Sequence, residues 1–434
     1  MHKVSCMSAG ALLVSAAGWM AIQAADKVDA KSLRTGQAAF ADAKTLTPGT
    51  FRKITPADLP SPYATKSSTN FPRVVPRPAD AWPKAPAGFK VELYAEKVGT
   101  ARQIRTAPNG DFFMADASGQ VVVFRGITKD GKAEQTSVFA GRLGKIFGIN
   151  FYPNGANPQW VYVSDPKSVM RFPYKNGDLK ASGPAQTLVS DLPAAGFHDT
   201  RDIVFSKDGQ RMFVAVGSGS NVDDPDTHPG EKNRAAILEY TPDGKFVKIY
   251  ASGIRNPVGL AVNQETGEVW CSVNERDELG DNLVPDYVSS VKEGGFYGWP
   301  YFYMGGNPDP RLKGAHPELK SKVIVPDVLI QPHSASLGIT FYTGTQFPAE
   351  YRGDLFAAEH GSWNRANSSG GEVIRVPLEK GKASGVYQDF LTGFVTADGK
   401  VWGRPVGVAV AKDGSMLVTD EGSKSIWRVS WVGK

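Results

Sequence analysis

The 434-residue chain has almost no cysteine: Cys6 and Cys271 are the only two. Cys6 lies in a segment expected to be removed, so the mature protein would hold one thiol and no internal disulfide, which excludes a disulfide scaffold. Cys271, inside the apolar run 268–273, reads as a small core residue rather than a reactive thiol. No C-x-x-C-H is present, so no c-type haem is attached. Long Lys/Arg runs are missing too, and the formal net charge is a modest +5, which leaves nucleic-acid binding without support. Beyond the first 25 residues no apolar stretch approaches bilayer-spanning length. Histidines and cysteines are not spaced as zinc ligands. There is no G-x-S-x-G, no P-loop and no G-x-G-x-x-G in a strand–helix setting, and Gly217-Ser-Gly-Ser-Asn221 reads as a turn.

What is present begins with Met1-His2-Lys3, an apolar run over 4–22 and Gln23-Ala24-Ala25-Asp26, the three regions of a secretory signal peptide. Residues 1–25 are therefore expected to be cleaved on export to the periplasm or the medium of a bacterium. Residues 26–86 have little periodicity and are dense in proline from Pro48 to Pro86, which favours extended backbone. They read as an arm laid along the main domain or as a flexible linker. With 41% hydrophobic and 21% charged residues, the remainder, 87–434, can bury a large core.

That remainder repeats. Segments at 101–111, 147–155, 200–209, 257–263, 337–342 and 405–414 are short apolar strands, most ending in Pro/Lys–Asn/Asp–Gly or another turn. Second strands follow at 112–115, 160–163, 212–216, 268–273, 354–358 and 415–419. Third strands are at 120–124, 169–172, 236–240, 373–376 and 426–429, with no clean one in the fourth repeat. Fourth strands are at 136–140, 186–191, 247–252, 327–331 and 388–392. The sixth repeat ends without one, and residues 89–96, ahead of the first repeat, match it. The pattern predicts an all-β, six-bladed propeller with four-stranded blades, closed by an N-terminal strand that leaves no open sheet edge. Two stacked sandwiches would explain neither the period nor the displaced strand.

In such a fold the corner before each first strand and the loop after each second strand share one face. It would collect His198, Asp199, Arg201, Arg255, Asn256, His333 and Arg404 from corners, and residues 217–234, 274–282 and 359–365 from loops. A histidine there is a candidate base. His198, beside Asp199 and Arg201, leads His333 and His360, though bonding its own corner is the competing role. Arg255 and Arg404 open two first strands and Lys145 another, which suits an anionic ligand, since Arg offers carboxylates a bidentate fork. Glu275, Asp277, Glu278, Asp281 and Asp286 offer hard oxygens for Ca²⁺ or form an acidic solvated loop; the adjacent Gly-Trp-Pro favours calcium.

Gly253-Ile-Arg-Asn-Pro257, Asn274-Glu-Arg-Asp-Glu-Leu279, Gly295-Phe-Tyr-Gly-Trp-Pro300, Glu359-His-Gly-Ser-Trp-Asn-Arg365 and Gly403-Arg-Pro405 together resemble the pyrroloquinoline-quinone (PQQ) sugar dehydrogenases of the soluble glucose/sorbosone dehydrogenase family. Thr35-Gly-Gln-Ala-Ala-Phe40 and Arg52-Lys-Ile-Thr-Pro-Ala-Asp-Leu59 resemble its sorbosone branch. The resemblance implies PQQ and Ca²⁺ in the axial funnel, a sugar or sugar-aldehyde substrate and an external electron acceptor such as a quinone or cytochrome. It implies His198 as the base and Arg255 as the residue that stabilises charge on the cofactor. Arg255, Asn256, Lys145, Arg404, His360, Arg365 and Arg276 would be its cofactor-binding set, and Glu275, Asp277, Glu278 and Asp286 its metal ligands. Ser218 stands where glucose-type relatives carry an aspartate, and the 274–282 loop differs from theirs. A calcium-dependent sugar lactonase and a non-catalytic sugar-binding propeller remain the alternatives.

Overall fold

The computed structural model describes residues 27–194 and 196–433; the expected signal peptide lies outside them. Six antiparallel four-stranded units follow one another in the chain. The first is Ala101–Thr106, Phe112–Asp116, Gln120–Arg125 and Gln135–Gly141, and the second is Ile149–Tyr152, Trp160–Ser164, Val169–Pro173 and Gln186–Val189. The third runs Ile203–Phe205, Met212–Val216, Ala236–Tyr240 and Phe246–Ser252. The fifth holds Ser336–Phe341, Leu355–Glu359, Glu372–Val376 and Val386–Leu391. The sixth, Pro405–Val410, Met416–Asp420 and Ser425–Trp431, is completed by Phe89–Glu96, which pairs antiparallel with Ser425–Trp431. This is the expected six-bladed propeller, closed by a strand from the other end of the domain.

The sequence pattern shows no clean third strand in the fourth blade, but the structure has one. Pro285–Ser290 lies between Val269–Val273 and Val328–Pro332 and pairs with both. All six of its residues are buried, so it lacks the in–out alternation that marks a half-exposed strand. The long insertion 291–327 then separates it from the fourth strand.

One position in each first strand explains how the blades meet at the axis. Gly148, Gly259, Gly338 and Gly407 occupy it in four blades, and a Cβ there would lie 2.5, 2.2, 2.7 and 2.9 Å from the neighbouring backbone oxygens of Arg201, Leu337, Val406 and Arg102. Only glycine lets adjacent strands approach this closely. The other two blades carry Gln103 and Asp202 instead, and these side chains fill the axis. Gln103 Nε2 donates to Asp202 Oδ2 at 2.7 Å, an oxygen that also accepts from Arg105 Nη2 and Leu260 N at 2.8 Å each.

The arm is neither a free linker nor simply extended. Phe51–Lys53 adds antiparallel to Val386–Leu391 and Leu33–Thr35 adds parallel to Phe51–Lys53, which widens the fifth blade to six strands. The buried Arg52–Asp389 pair, 2.8 Å, locks this addition. Residues 61–70 then cross to the face that carries the long loops. There Tyr63 N donates to Leu279 O, Asp281 N to Thr65 Oγ1, Asn364 Nδ2 to Ser68 O and Asn70 N to Trp363 O. Among the described residues no helix is long and apolar enough to cross a membrane.

Candidate functional site

The axial plug of Gln103 and Asp202 divides the shaft. On one side a cavity of about 400 Å³ opens between the strand ends, lined by Asn150, Asn154, Lys207, Gln264, Phe341 and other mostly uncharged groups. On the other side is a throat of about 40 Å³, lined by Arg102, Phe147, Thr200, Val258, Leu337 and Val406. The larger cavity carries little chemistry, with Arg105 already paired to Asp202. The histidines, the arginine-opened corners and the long loops all belong to the throat end, so this end is the candidate site.

His198 sits at the corner before the third blade. Its Nδ1 lies 3.0 Å from Ser218 O and 3.1 Å from Ser218 Oγ. A carbonyl can only accept, so Nδ1 carries the proton and Nε2 holds a lone pair with no hydrogen-bond partner among the described residues. Burial, followed by the charge of Arg255, pushes this imidazole down to about 3 and keeps it neutral. The bond to its own corner is therefore the device that orients the ring, and the two roles weighed from sequence are compatible. Gly217 makes the approach possible: a Cβ there would lie 2.4 Å from Asn256 Oδ1 and 2.6 Å from His198 Cβ. Ser218, at the position noted as a departure, contributes mainly its backbone oxygen.

Arg255 is fully buried, and each of its five N–H directions meets a protein acceptor. Nε donates to Asn221 O (3.1 Å), Nη1 to Asn274 O (3.2 Å) and Glu275 O (2.6 Å), and Nη2 to Asn221 Oδ1 (2.9 Å) and Asp277 Oδ2 (3.2 Å). It presents charge to the site rather than a free fork. Trp299 of the Gly-Trp-Pro motif supports the same arrangement, donating Nε1 to Asn221 O at 2.9 Å. Asp277 is shared between Arg255 and His333, whose Nδ1 is 3.3 Å from Asp277 Oδ1. Burial would raise this carboxyl, but His333 and Arg255 outweigh it and hold it below the usual range.

The four expected metal carboxylates do not converge. Both Asp277 oxygens are engaged as above, and Asp286 accepts from Glu275 N (2.8 Å) and Ala335 N (2.7 Å). Glu278 is exposed. Glu275 is buried and pushed up to about 8 by burial, with Oε2 on Arg276 N at 3.1 Å and no hydrogen bond to its other oxygen. This set does not fit a chelating site: only Glu275 and the exposed Glu278 have a carboxylate oxygen without a partner among the described residues. Among the described residues the acidic and histidine side chains that do converge, within 4.8 Å, are Asp224, Asp226 and His316 in the insertions. They already bond one another and Tyr301.

The expected cofactor-binding cations divide into two groups. Arg365 donates to Ala41 O, Gln331 Oε1 and Asn282 Oδ1, and so holds the arm. Arg276 is buried 2.7 Å from Asp309 in an insertion. Lys145, by contrast, is half exposed on Asp199 at 2.7 Å. Among the described residues the Arg404 guanidinium bonds through Nε, to His360 O at 3.3 Å. His360 is pushed down to about 4 by burial and bonds Glu421 at 3.0 Å. Sequence reasoning missed Arg102 and Thr200. Arg102 Nε, Thr200 Oγ1 and Asn256 Oδ1, at three different corners, are buried with no hydrogen-bond partner among the described residues. Unsatisfied buried polar atoms of this kind, with Arg404 and Lys145 nearby, fit a planar, polar, anionic ligand. Arg102 was legible in principle, since it stands in the first strand just before the axial position, as Arg201 does.

A neutral imidazole with a free lone pair and several cations thus gather at one end of the propeller shaft. The chain belongs to the glucose/sorbosone dehydrogenase family, whose model matches residues 99–361. A second model, TrAA12-like, matches residues 316–432. An uncharacterized protein of Borreliella burgdorferi is 30% identical over 359 residues, 80% of this chain and 90% of that one. The aldose sugar dehydrogenase YliI of Escherichia coli is 25% identical over 61% of this chain and 76% of its own length. Among solved structures, the holo PQQ domain of Coprinopsis cinerea pyranose dehydrogenase superposes with a TM-score of 0.68 at 20% identity, over 82% of this chain and 98% of that one. The calcium structure of the Trichoderma reesei family AA12 enzyme gives 0.70 at 17%, over 85% and 99%. At these identities the structural likeness establishes the fold.

Proposed function

We propose that the protein is an exported PQQ- and Ca²⁺-dependent dehydrogenase that oxidises a sugar or sugar aldehyde, of aldose or sorbosone type, and passes the electrons to an external acceptor. The observation that carries this reading is the His198–Ser218 contact, which leaves a neutral Nε2 lone pair beside Arg255. Bound PQQ would supply the two-electron acceptor for hydride. His198 Nε2 takes the substrate hydroxyl proton, and the Ser218 carbonyl holds the ring while it does so. Arg255 contributes positive charge that favours developing anion nearby, and its bonds to Asn221, Asn274 and Glu275 keep that charge in place without reorganisation. Arg102, Thr200, Arg404 and Lys145 have donors left for an anionic cofactor, and Asn256 Oδ1 is left to accept from a donor on it. Of the expected metal carboxylates, Glu275 is the buried one with a free oxygen among the described residues, Glu278 being exposed, and main-chain oxygens would have to complete a calcium shell.

Reconstitution tests the proposal. Protein stripped with a chelator should be inactive, should regain activity only with PQQ and Ca²⁺ together, and should then absorb in the quinone region. Full activity in a chelated, PQQ-free preparation supplied with a nicotinamide cofactor would overturn it.

A further inference from the structure

The rim of the site carries large aromatic rings that the core does not use. Phe197, one residue before His198, is 70% exposed, and its ring lies 6.0 Å from the imidazole. Phe71, in the arm, is 69% exposed and stacks on Trp363 at 5.3 Å with 13° between the planes. Rings of this size are normally buried for the area they remove from water, so two of them held open to solvent on one rim need an account.

Phe197 N donates to Gly219 O, Asn221 Nδ2 to Asp277 O, and Glu278 N to Asn364 Oδ1. These bonds link the His198 corner, loop by loop, to the segment carrying Trp363. Asn70 N then donates to Trp363 O, and Asn70 Nδ2 to the carbonyls of Arg365 and Ala366, which fixes Phe71 directly on the indole. Trp363 Nε1–H has no acceptor among the described residues. The glucose/sorbosone dehydrogenase match, 99–361, contains neither Phe71 nor Trp363.

The geometry points to a remote saccharide subsite at Phe71 and Trp363, holding a sugar ring other than the one oxidised, so that the preferred substrates are oligosaccharides or glycan ends rather than free monosaccharides. A pyranose ring has an apolar C–H face and hydroxyls around its edge. A flat, solvent-facing ring accepts that face while the hydroxyls stay hydrated, and an unpaired indole N–H can reach one of them. Phe197 lies at the reacting end beside the candidate base, whereas the Phe71–Trp363 stack lies two loops farther along the rim. This assignment rests on the sugar dehydrogenase reading for its link to oxidation, but not for binding.

The test uses the full mature chain and Phe71→Ala, with Phe71→Trp as the conservative variant, probed with glucose, maltose, cellobiose, maltotetraose and cellotetraose. Calorimetric titration without PQQ should show tetrasaccharide binding tighter than glucose. Phe71→Ala should weaken tetrasaccharide binding about tenfold, the scale of one aromatic stacking contact, and Phe71→Trp should retain it. In the reconstituted enzyme the ratio of kcat/KM for tetrasaccharide over glucose should fall by a similar factor in Phe71→Ala, through KM. Affinity independent of chain length would overturn the subsite. So would an equal loss for all sugars with a lowered Tm, which would make Phe71 an arm anchor, or a defect confined to a protein electron acceptor. If tetrasaccharide binding depends on Phe71 while no sugar is oxidised, the subsite stands and the dehydrogenase reading falls.

Discussion

Gln103 donates to Asp202 across the propeller axis, at the position where four other blades carry glycine. Asp202 is wholly buried, and Arg105 and two backbone amides bond it as well. The contact closes the shaft and separates the end that carries His198 and Arg255 from the open cavity at the opposite end.

Removing one partner of a buried ion pair leaves the other charge uncompensated. Asp202→Ala should therefore destabilise the protein by about 3–5 kcal/mol, read as a lower denaturation midpoint. A loss below ~1 kcal/mol would show that Arg105 finds another partner.

His198→Ala should reduce turnover by about 10²–10⁴-fold, the usual cost of losing a general base. Cofactor affinity, followed by fluorescence titration with PQQ, should change little, because Nε2 is assigned to the substrate proton. Near-wild-type turnover with sorbosone and common aldoses would move the role to another residue.

Arg255→Gln should move the acid limb of the kcat/KM profile to higher pH. The proton acceptor must be neutral, so activity is lost as pH falls through the His198 pKa. Arg255 is one of the causes holding that pKa down, after burial. Removing its charge raises the pKa, and the limb shifts upward. An unshifted limb would show that another group sets it.

Glu359, the neighbour of His360, offers a test read on stability rather than turnover. Burial pushes its carboxyl up to about 8, and Oε2 has no partner. The folded state thus holds a proton that the unfolded chain, titrating near the usual ~4.3, releases earlier. Its stabilising contribution is full below that lower value and is lost as pH rises towards 8. Glu359→Gln removes the titration, so denaturant melts should show the variant gaining on wild type as pH rises from 5 to 8, by up to about 1.4 kcal/mol per pH unit. A constant difference across that range would mean that Glu359 is ionised throughout in the folded protein.

How legible each part was depended on the range of the interaction that set it. The repeat, the displaced closing strand and the positions of His198 and Arg255 at axial corners follow from strand period and turn spacing, which are local. Pro285–Ser290 was hidden because burial on both faces erases alternation. The path of the arm was hidden because proline-rich extended chain has no pattern that says which sheet edge will accept it, and only the Arg52–Asp389 pair and the hydrogen-bond register decide that.

The sequence alone determined the blades and the face on which the chemistry-bearing residues gather, because each needs only neighbours in the chain. Tertiary structure alone decided what each charge does. Asp277 and Asp286, which read as metal ligands in a local acidic run, are occupied by Arg255, His333 and the amides of Glu275 and Ala335. His333 and Ala335 belong to another blade, and a carboxylate in low dielectric takes whichever donor the fold brings within reach.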